Sequence, residues 1–328
     1  MDFFKEFSSE TRQKNYNTKV INNQFWNQPI DMKDDIHITE LKINKCNMNN
    51  IRSFPPNLKK ITLSQNNVTS FDMSIIPRSV TEIIYKNEST ETLTGDLPPG
   101  LESLSINNTQ IEILDIEIPD TLSKLDLSGN KGLCVLPDLT KCSGLKNLDV
   151  RATFISCIDN IPDSVEILDT CLCSLNHVNK LPSHLLVWKS WKASLSEIRC
   201  KFPENVNELD FYMNNLKILP ELPKTILILD VASNDLTLVP YFPDTVKSVD
   251  LRNNKKMVIP DEIIKMDTSD KKILFDTVHV PASSSQHVRG TNTTQERSID
   301  IWPSKEYSTS NPNYILHADK GTKIFIQI

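Results

Sequence analysis

A phrase of about twenty residues recurs through this chain, and a period of that length leaves few folds open to it. Its clearest statement runs from Pro203 to Asn254. Val206 is followed by Leu209, Phe211, Asn214, Leu216 and Leu219. The same intervals return as Ile226, Leu229, Val231, Asn234, Leu236 and Val239, and begin again as Val246, Val249, Leu251 and Asn254. One apolar marker per unit gives Leu41, Ile61, Ile83, Leu104, Leu125, Leu148, Leu168, Trp188, Leu209, Leu229 and Val249, spaced by 20 to 23 residues. A unit this short has an apolar side it cannot bury alone, so each must stack on its neighbours.

In most units the marker and the residue two places on are apolar while the one between is polar. That alternation predicts a short strand with two side chains inward and one on the open face. A proline stands six positions before nine of the markers: Pro55, Pro77, Pro98, Pro119, Pro162, Pro182, Pro203, Pro223 and Pro243. Proline has no N–H and a fixed φ, so the return segments are expected to be extended or polyproline-like. Asn66, Asn130, Asn214, Asn234 and Asn254 fall at the turn after the strand, where stacked amides can satisfy backbone groups. Cys46 and Cys173 take the same place. Glu88, Thr109, Thr153 and Ala193 depart from it, which predicts a thinner ladder in the middle. In the sixth unit Pro137 lies eleven positions ahead of Leu148, so a bulge is expected around Thr140 to Gly144.

The expected fold is an α/β solenoid dominated by β-structure. It is a curved array of about eleven repeats over 36–260, with one parallel sheet on its concave face and extended, non-helical convex segments. Residues 1–35, with Phe3, Phe7, Phe25 and Trp26, read as a helical or irregular N-terminal cap, and 261–328 as a C-terminal cap. In the latter, a short helix is expected from Asp261 and strands around Leu274 to Val280 and Ile324 to Ile328.

Composition narrows the function classes. The formal charge is -6, from 36 Lys plus Arg against 42 Asp plus Glu, so no general attraction to nucleic-acid phosphates or anionic membranes is expected. No apolar run approaches the roughly 18 residues of a membrane span, and Lys5 and Glu6 interrupt the only N-terminal apolar stretch. Seven cysteines without disulfide-framework spacing point to reduced thiols and an intracellular setting. Cys171-x-Cys173 near His177 reads as structural, the six histidines show no ligand spacing, and no phosphate-binding loop exists among 7 glycines. No catalytic residue, cofactor or metal is expected.

The phrase from Leu222-Pro223 to Leu236 resembles the short leucine-rich repeats of bacterial effectors injected into host cells. The forms Ile76-Pro77-Arg78-Ser79-Val80 and Ile161-Pro162-Asp163-Ser164-Val165 resemble the FNIP repeats of amoebae and of the large DNA viruses that infect them. Phe25-Trp26-Asn27-Gln28-Pro29-Ile30 is similar to that family's signature, with an inserted tryptophan. The resemblance implies a protein-binding scaffold of viral or microbial origin. Some such effectors carry a ubiquitin-ligase domain with a catalytic cysteine after the repeats; no cysteine follows Cys200 here, so that activity is not implied.

Two rows of residues form the candidate site. Asp126, Asp149, Asp169, Asp210, Asp230 and Asp250, interrupted by Lys189, fall between inward markers and so form an acidic stripe across strands about 4.8 Å apart. The stripe reads as a solvated face, as a contact for a basic protein partner, or as a metal site. Two positions on, Cys171, Leu172, Trp191, Tyr212 and Met213 are expected to lie outward beside Leu186, Val187, Leu227 and Ile228, flanked by Arg151 and Arg252. Aromatics and Met beside Arg have the composition of a binding hot spot. The expected function is non-enzymatic protein–protein interaction through this face. The alternatives are an enzymatic activity in the C-terminal segment and a structural component of a virus particle.

Overall fold

The structure, a computed structural model, describes residues 17–23, 30–46, 48, 51–239, 241–258 and 271–275. The aromatics Phe3, Phe7, Phe25 and Trp26, the helix start at Asp261, the alternation from Asp276 to Val280 and the strand at Ile324 to Ile328 lie outside the described residues. The chain through Leu274 forms one compact unit.

All eleven markers lie in a single parallel sheet of thirteen strands that pair in chain order. Five strands are five residues long: Thr18–Asn22, Glu40–Asn44, Lys60–Ser64, Glu82–Lys86 and Ser103–Asn107. Eight are three residues long: Lys124–Asp126, Asn147–Asp149, Ile167–Asp169, Val187–Lys189, Glu208–Asp210, Ile228–Asp230, Ser248–Asp250 and Lys272–Leu274. The markers face one another in register, as in Leu41 with Ile61, Leu125 with Leu148, and Trp188 with both Leu168 and Leu209. The sheet runs one strand past the expected repeats at each end. Lys19 occupies the marker place opposite Leu41, and Ile273 the place opposite Val249. Lys19 forms an ion pair with Asp35 at 2.5 Å. A search for apolar markers passes over this strand because a charged side chain, Lys19, holds its marker place.

The core is the stack of inward residues. The markers and their partners two places on are buried, including Leu125 and Leu127, Leu209 and Phe211, and Leu229 and Val231. Trp188 fits a leucine place because the adjacent inward positions are small. Its Nε1 donates to Thr170 Oγ1 at 3.0 Å, Ser190 lies beside Thr170, and its ring meets Phe211 edge-on at 4.9 Å.

The nine prolines open β-turns. In each unit the N–H three places before the marker donates to the carbonyl six places before it, from Leu58 to Pro55 at 3.3 Å through Val246 to Pro243 at 3.1 Å. Only the carbonyl of this residue is used, so proline's missing N–H has no cost there. Asp35 and Cys142 fill the same position in the units that lack the proline, with bonds from Ile38 and Leu145 at 3.0 Å. The displaced Pro137 therefore marks extra residues ahead of an unchanged turn. Thr140 N is held by Asp138 Oδ1 at 2.9 Å within that bulge.

The serine or threonine of the I-P-x-S-V phrase joins neighbouring units. Ser79, Thr121, Ser164 and Thr225 donate to Leu58, Leu101, Leu145 and Val206 carbonyls at 2.7–2.8 Å. Away from the main sheet, the return segments make short parallel pairs. Ile30–Asp31 pairs with Ile51–Ser53, Ser70–Asp72 with Thr92–Thr94, and His177–Val178 with Glu197–Ile198. Among the described residues helix is nearly absent; the turn Met73–Ile75 is 3-10, capped by the Asp72 side chain on Ser74 N at 2.9 Å.

Candidate functional site

The candidate face is built by one hydrogen-bond exchange repeated along the array. Asp126, Asp149, Asp169, Asp210, Asp230 and Asp250 each accept, through Oδ1, the backbone N–H two residues on, at 3.0–3.1 Å. In the register of the sheet that N–H would otherwise face the preceding strand. The preceding carbonyl is instead taken by asparagine: Asn130 Nδ2 donates to Ile106 at 2.7 Å, Asn214 to Ser190 at 2.6 Å, Asn234 to Phe211 at 2.8 Å and Asn254 to Val231 at 2.9 Å. Strands with Lys42, Thr62, Ile84 or Ser105 after the marker keep five residues; those with Asp there stop at three, as do the strands with Lys189 and Leu274. Each carboxylate of the stripe thus has a local role, capping the backbone N–H at its strand end, before it has any other function.

The residue after each bend is left-handed. Lys45, Asn87, Asn108, Ala152, Leu172, Lys192, Met213, Ser233 and Asn253 have φ between 51° and 59°, and Gly129 has 78°. The amide ladder follows immediately. Asn66, Asn130, Asn214, Asn234 and Asn254 are buried, and their Oδ1 atoms accept N–H groups of the preceding unit, as from Cys46 at 2.9 Å and Leu236 at 3.0 Å. Glu88 replaces an amide by accepting from Asn66 N and Nδ2, and burial pushes its carboxyl up. The rungs are thinner at Thr153, Cys173 and Ala193: the hydroxyl and thiol both reach Val150 O, and Ala193 has no side-chain group to contribute.

On the open face each carboxylate stands beside those of the adjacent strands, in the register Asp126–Asp149–Asp169–Lys189–Asp210–Asp230–Asp250. Burial, then the charges of Asp169 and Asp126, pushes Asp149 up to about 7. Burial pushes Asp210 up to about 6, against the pull of the Tyr212 N–H and Lys189. Asp230 reaches about 7 through burial and the charges of Asp210 and Asp250. Cations answer parts of the stripe. Arg151 pairs with Asp149 at 2.7 Å and approaches Asp169 at 3.8 Å, Arg252 grips Asp250 at 2.5 Å, and Lys189 lies 3.4 Å from Glu208. Among the described residues no three His, Cys, Asp or Glu are grouped to hold a metal ion.

The expected apolar row is only partly outward. Trp191, Tyr212, Leu172, Val187 and Leu186 are half-buried, Met213 is 43% exposed, and Leu227 and Ile228 are 41% and 38% exposed. Cys171 is the exception, at 1%. It occupies the same repeat position as Arg151 and Trp191, whose longer side chains cover a short one between them, and Ala232 is covered in the same way between Tyr212 and Arg252. Burial and the neighbouring Asp169 push the Cys171 thiol up, away from nucleophilic use. Ile167, 42% exposed, belongs to this face and was not among the expected residues. Its signal is positional, since it precedes its marker as Ile228 does and lies opposite Val187.

No protein-family model and no curated protein sequence matches the chain. Among solved structures it is similar to TLR13 in the TLR13–ssRNA13 complex, with a TM-score of 0.59 and 18% identity over 78% of this chain and 43% of that one. It is also similar to the leucine-rich repeat protein LIC12759 of Leptospira interrogans, with a TM-score of 0.54 and 17% identity over 75% and 74%. YopM from Yersinia enterocolitica WA-314 aligns at 19% identity and a TM-score of 0.44 over 72% of this chain and 60% of that one. The chain therefore spans less than two thirds of the length of TLR13 and of that YopM. The fold is a parallel-sheet solenoid of the leucine-rich repeat kind. Among the described residues no helix is long and apolar enough to cross a membrane.

Proposed function

We propose that this chain is a non-enzymatic protein-interaction scaffold, binding a partner protein through the open, concave face of its sheet over the sixth to eleventh repeats. The observation that supports the reading is the exposure of Ile167 and Ile228, which alternate with the carboxylates along their strands, together with the exposure of Leu227 and Met213 just outside the strands. Folding of the array requires the inward residues to be apolar and the outward ones only to be small enough to stack, so exposed aliphatics there serve contact rather than stability. Trp191 and Tyr212 supply rigid, half-buried anchors of the type that dominates binding energy.

The partner is a protein. TLR13, a structural neighbour, was solved in a complex with ssRNA. The face of this chain presents Asp126, Asp149, Asp169, Asp210, Asp230 and Asp250, which repel phosphates, and its formal charge is -6. An intracellular setting accords with seven free thiols. The test is affinity capture with the wild-type chain beside a Trp191→Ala/Tyr212→Ala variant. The reading expects a specific partner lost from the variant; the same proteins captured equally by both would refute it.

A further inference from the structure

The open face is not uniform: some of its carboxylates are in ion pairs, while Lys189 and Arg252 act on others only from a distance. Arg151 serves Asp149 and Asp169, and Arg252 holds Asp250 through a fork of Nε and Nη2. Among the described residues no ion pair reaches Asp210 or Asp230. Each has committed Oδ1 to its own strand end, on Tyr212 N at 3.1 Å and Ala232 N at 3.0 Å, and has no hydrogen bond on Oδ2. The two lie opposite one another in register, about 4.8 Å apart from strand to strand.

The surroundings shape that place. Ala232, the shortest side chain in its row, is buried between Tyr212 and Arg252, so the longer side chains of its two neighbours border the place beside Asp230. On the other side Ile228 is exposed, and Met213 is exposed beyond Tyr212. A negative pair inside an apolar and aromatic rim is complementary to a cation carried on an apolar stem.

Resting on the partner-binding reading above, we propose that the sheet face at Asp210, Asp230, Tyr212 and Ile228 docks a segment of the partner protein that inserts one Arg or Lys between the two carboxylates. The flanking residues of that segment are apolar and cover Ile228 and Tyr212. A guanidinium meets both free oxygens with its planar fork, which favours Arg over Lys. The groups that set the charge here are Lys189, Glu208 and Asp169 around Asp210, and Asp250 and Arg252 around Asp230. Because burial and mutual repulsion hold both carboxyls above the usual carboxylate range, docking strengthens from pH 5.5 to 8 as they ionise.

The experiment is selection of a random-peptide display library on the full chain, followed by binding of the enriched peptides and their Arg/Lys→Gln versions. The targets are wild type, Asp210→Asn, Asp230→Asn and Trp191→Ala/Tyr212→Ala. Asparagine retains the oxygen that caps the strand end, so the Asp variants keep their fold. Enriched peptides are expected to carry Arg or Lys beside aromatic or aliphatic residues. Their affinity should fall about tenfold on either Asp→Asn change and no further when the peptide cation is also removed. Peptides that lose binding on the Trp191/Tyr212 variant but ignore both Asp variants would overturn the cation pocket while leaving the interaction face standing. Enrichment of uncharged or acidic peptides, or no enrichment, would also overturn the pocket.

Discussion

Asparagine, aspartate and a left-handed residue act together at every bend, so single changes there have separable effects. Asn234 Nδ2 serves Phe211 and Val231 carbonyls, and its Oδ1 serves Leu216 N. Asn234→Ala leaves these buried groups unmatched and should cost about 1–3 kcal/mol, read as a lower urea midpoint. Lys192 is exposed with φ 53°, where a Cβ is strained. Lys192→Gly should stabilise by up to about 1 kcal/mol in the same assay, the relief of strain exceeding the added chain entropy. The carboxylates act in the opposite direction to an ordinary salt bridge. Asp149, Asp210 and Asp230 titrate at about 7, 6 and 7 when folded, above the unfolded 3.8, so the folded state holds protons longer. Their contribution is fully present below pH 4 and is lost as pH rises through 6 to 7. The urea midpoint should therefore fall between pH 5 and pH 8, and an Asp149→Asn/Asp230→Asn variant should flatten that slope. The positions of these aspartates were legible in the sequence; their capping of the strand end was not, because an i to i+2 bond leaves no trace in periodicity. Cys171 was misplaced for a related reason. Alternation puts it outward, and only the lengths of Arg151 and Trp191 in adjacent units cover it.

At the scale of the element, the strand and the turn were readable because each depends on residues close together in sequence. The prolines marked the β-turn, which they open as carbonyl acceptors. Thr18–Asn22 escaped notice because Lys19 stands where a leucine is expected, and its cation is answered by Asp35 outside the strand. Trp188 illustrates a repeat whose consensus would mislead. Restoring the consensus by Trp188→Leu removes the partner of Thr170 Oγ1 and the edge contact with Phe211. That change should destabilise by about 2 kcal/mol despite matching the neighbouring repeats. A urea midpoint equal to or above wild type would show that Thr170 and Ser190 do not form the space the tryptophan fills.

In the molecule as a whole, contacts among the described residues connect each unit to the next, and thirteen parallel strands pair in chain order, each reached from the last by a return segment. Stability should then be close to a sum over units and their interfaces. Removing residues 215–234 joins Asn214 to Asp235, the same neighbours as at Asn234, and leaves every register intact. That deletion should fold with a reduced denaturant slope as well as a lower midpoint, since less surface is buried. A deletion of half that length throws the inward residues out of phase and should not fold, as circular dichroism would report. The sixth unit already shows what the array tolerates. Its extra residues before Cys142 leave the turn and the pairing of Leu125 with Leu148 undisturbed. A splice between the exposed Thr140 and Lys141 is thus a natural graft point, where a fluorophore or affinity handle can be carried away from the acidic face and report on a bound partner without touching it.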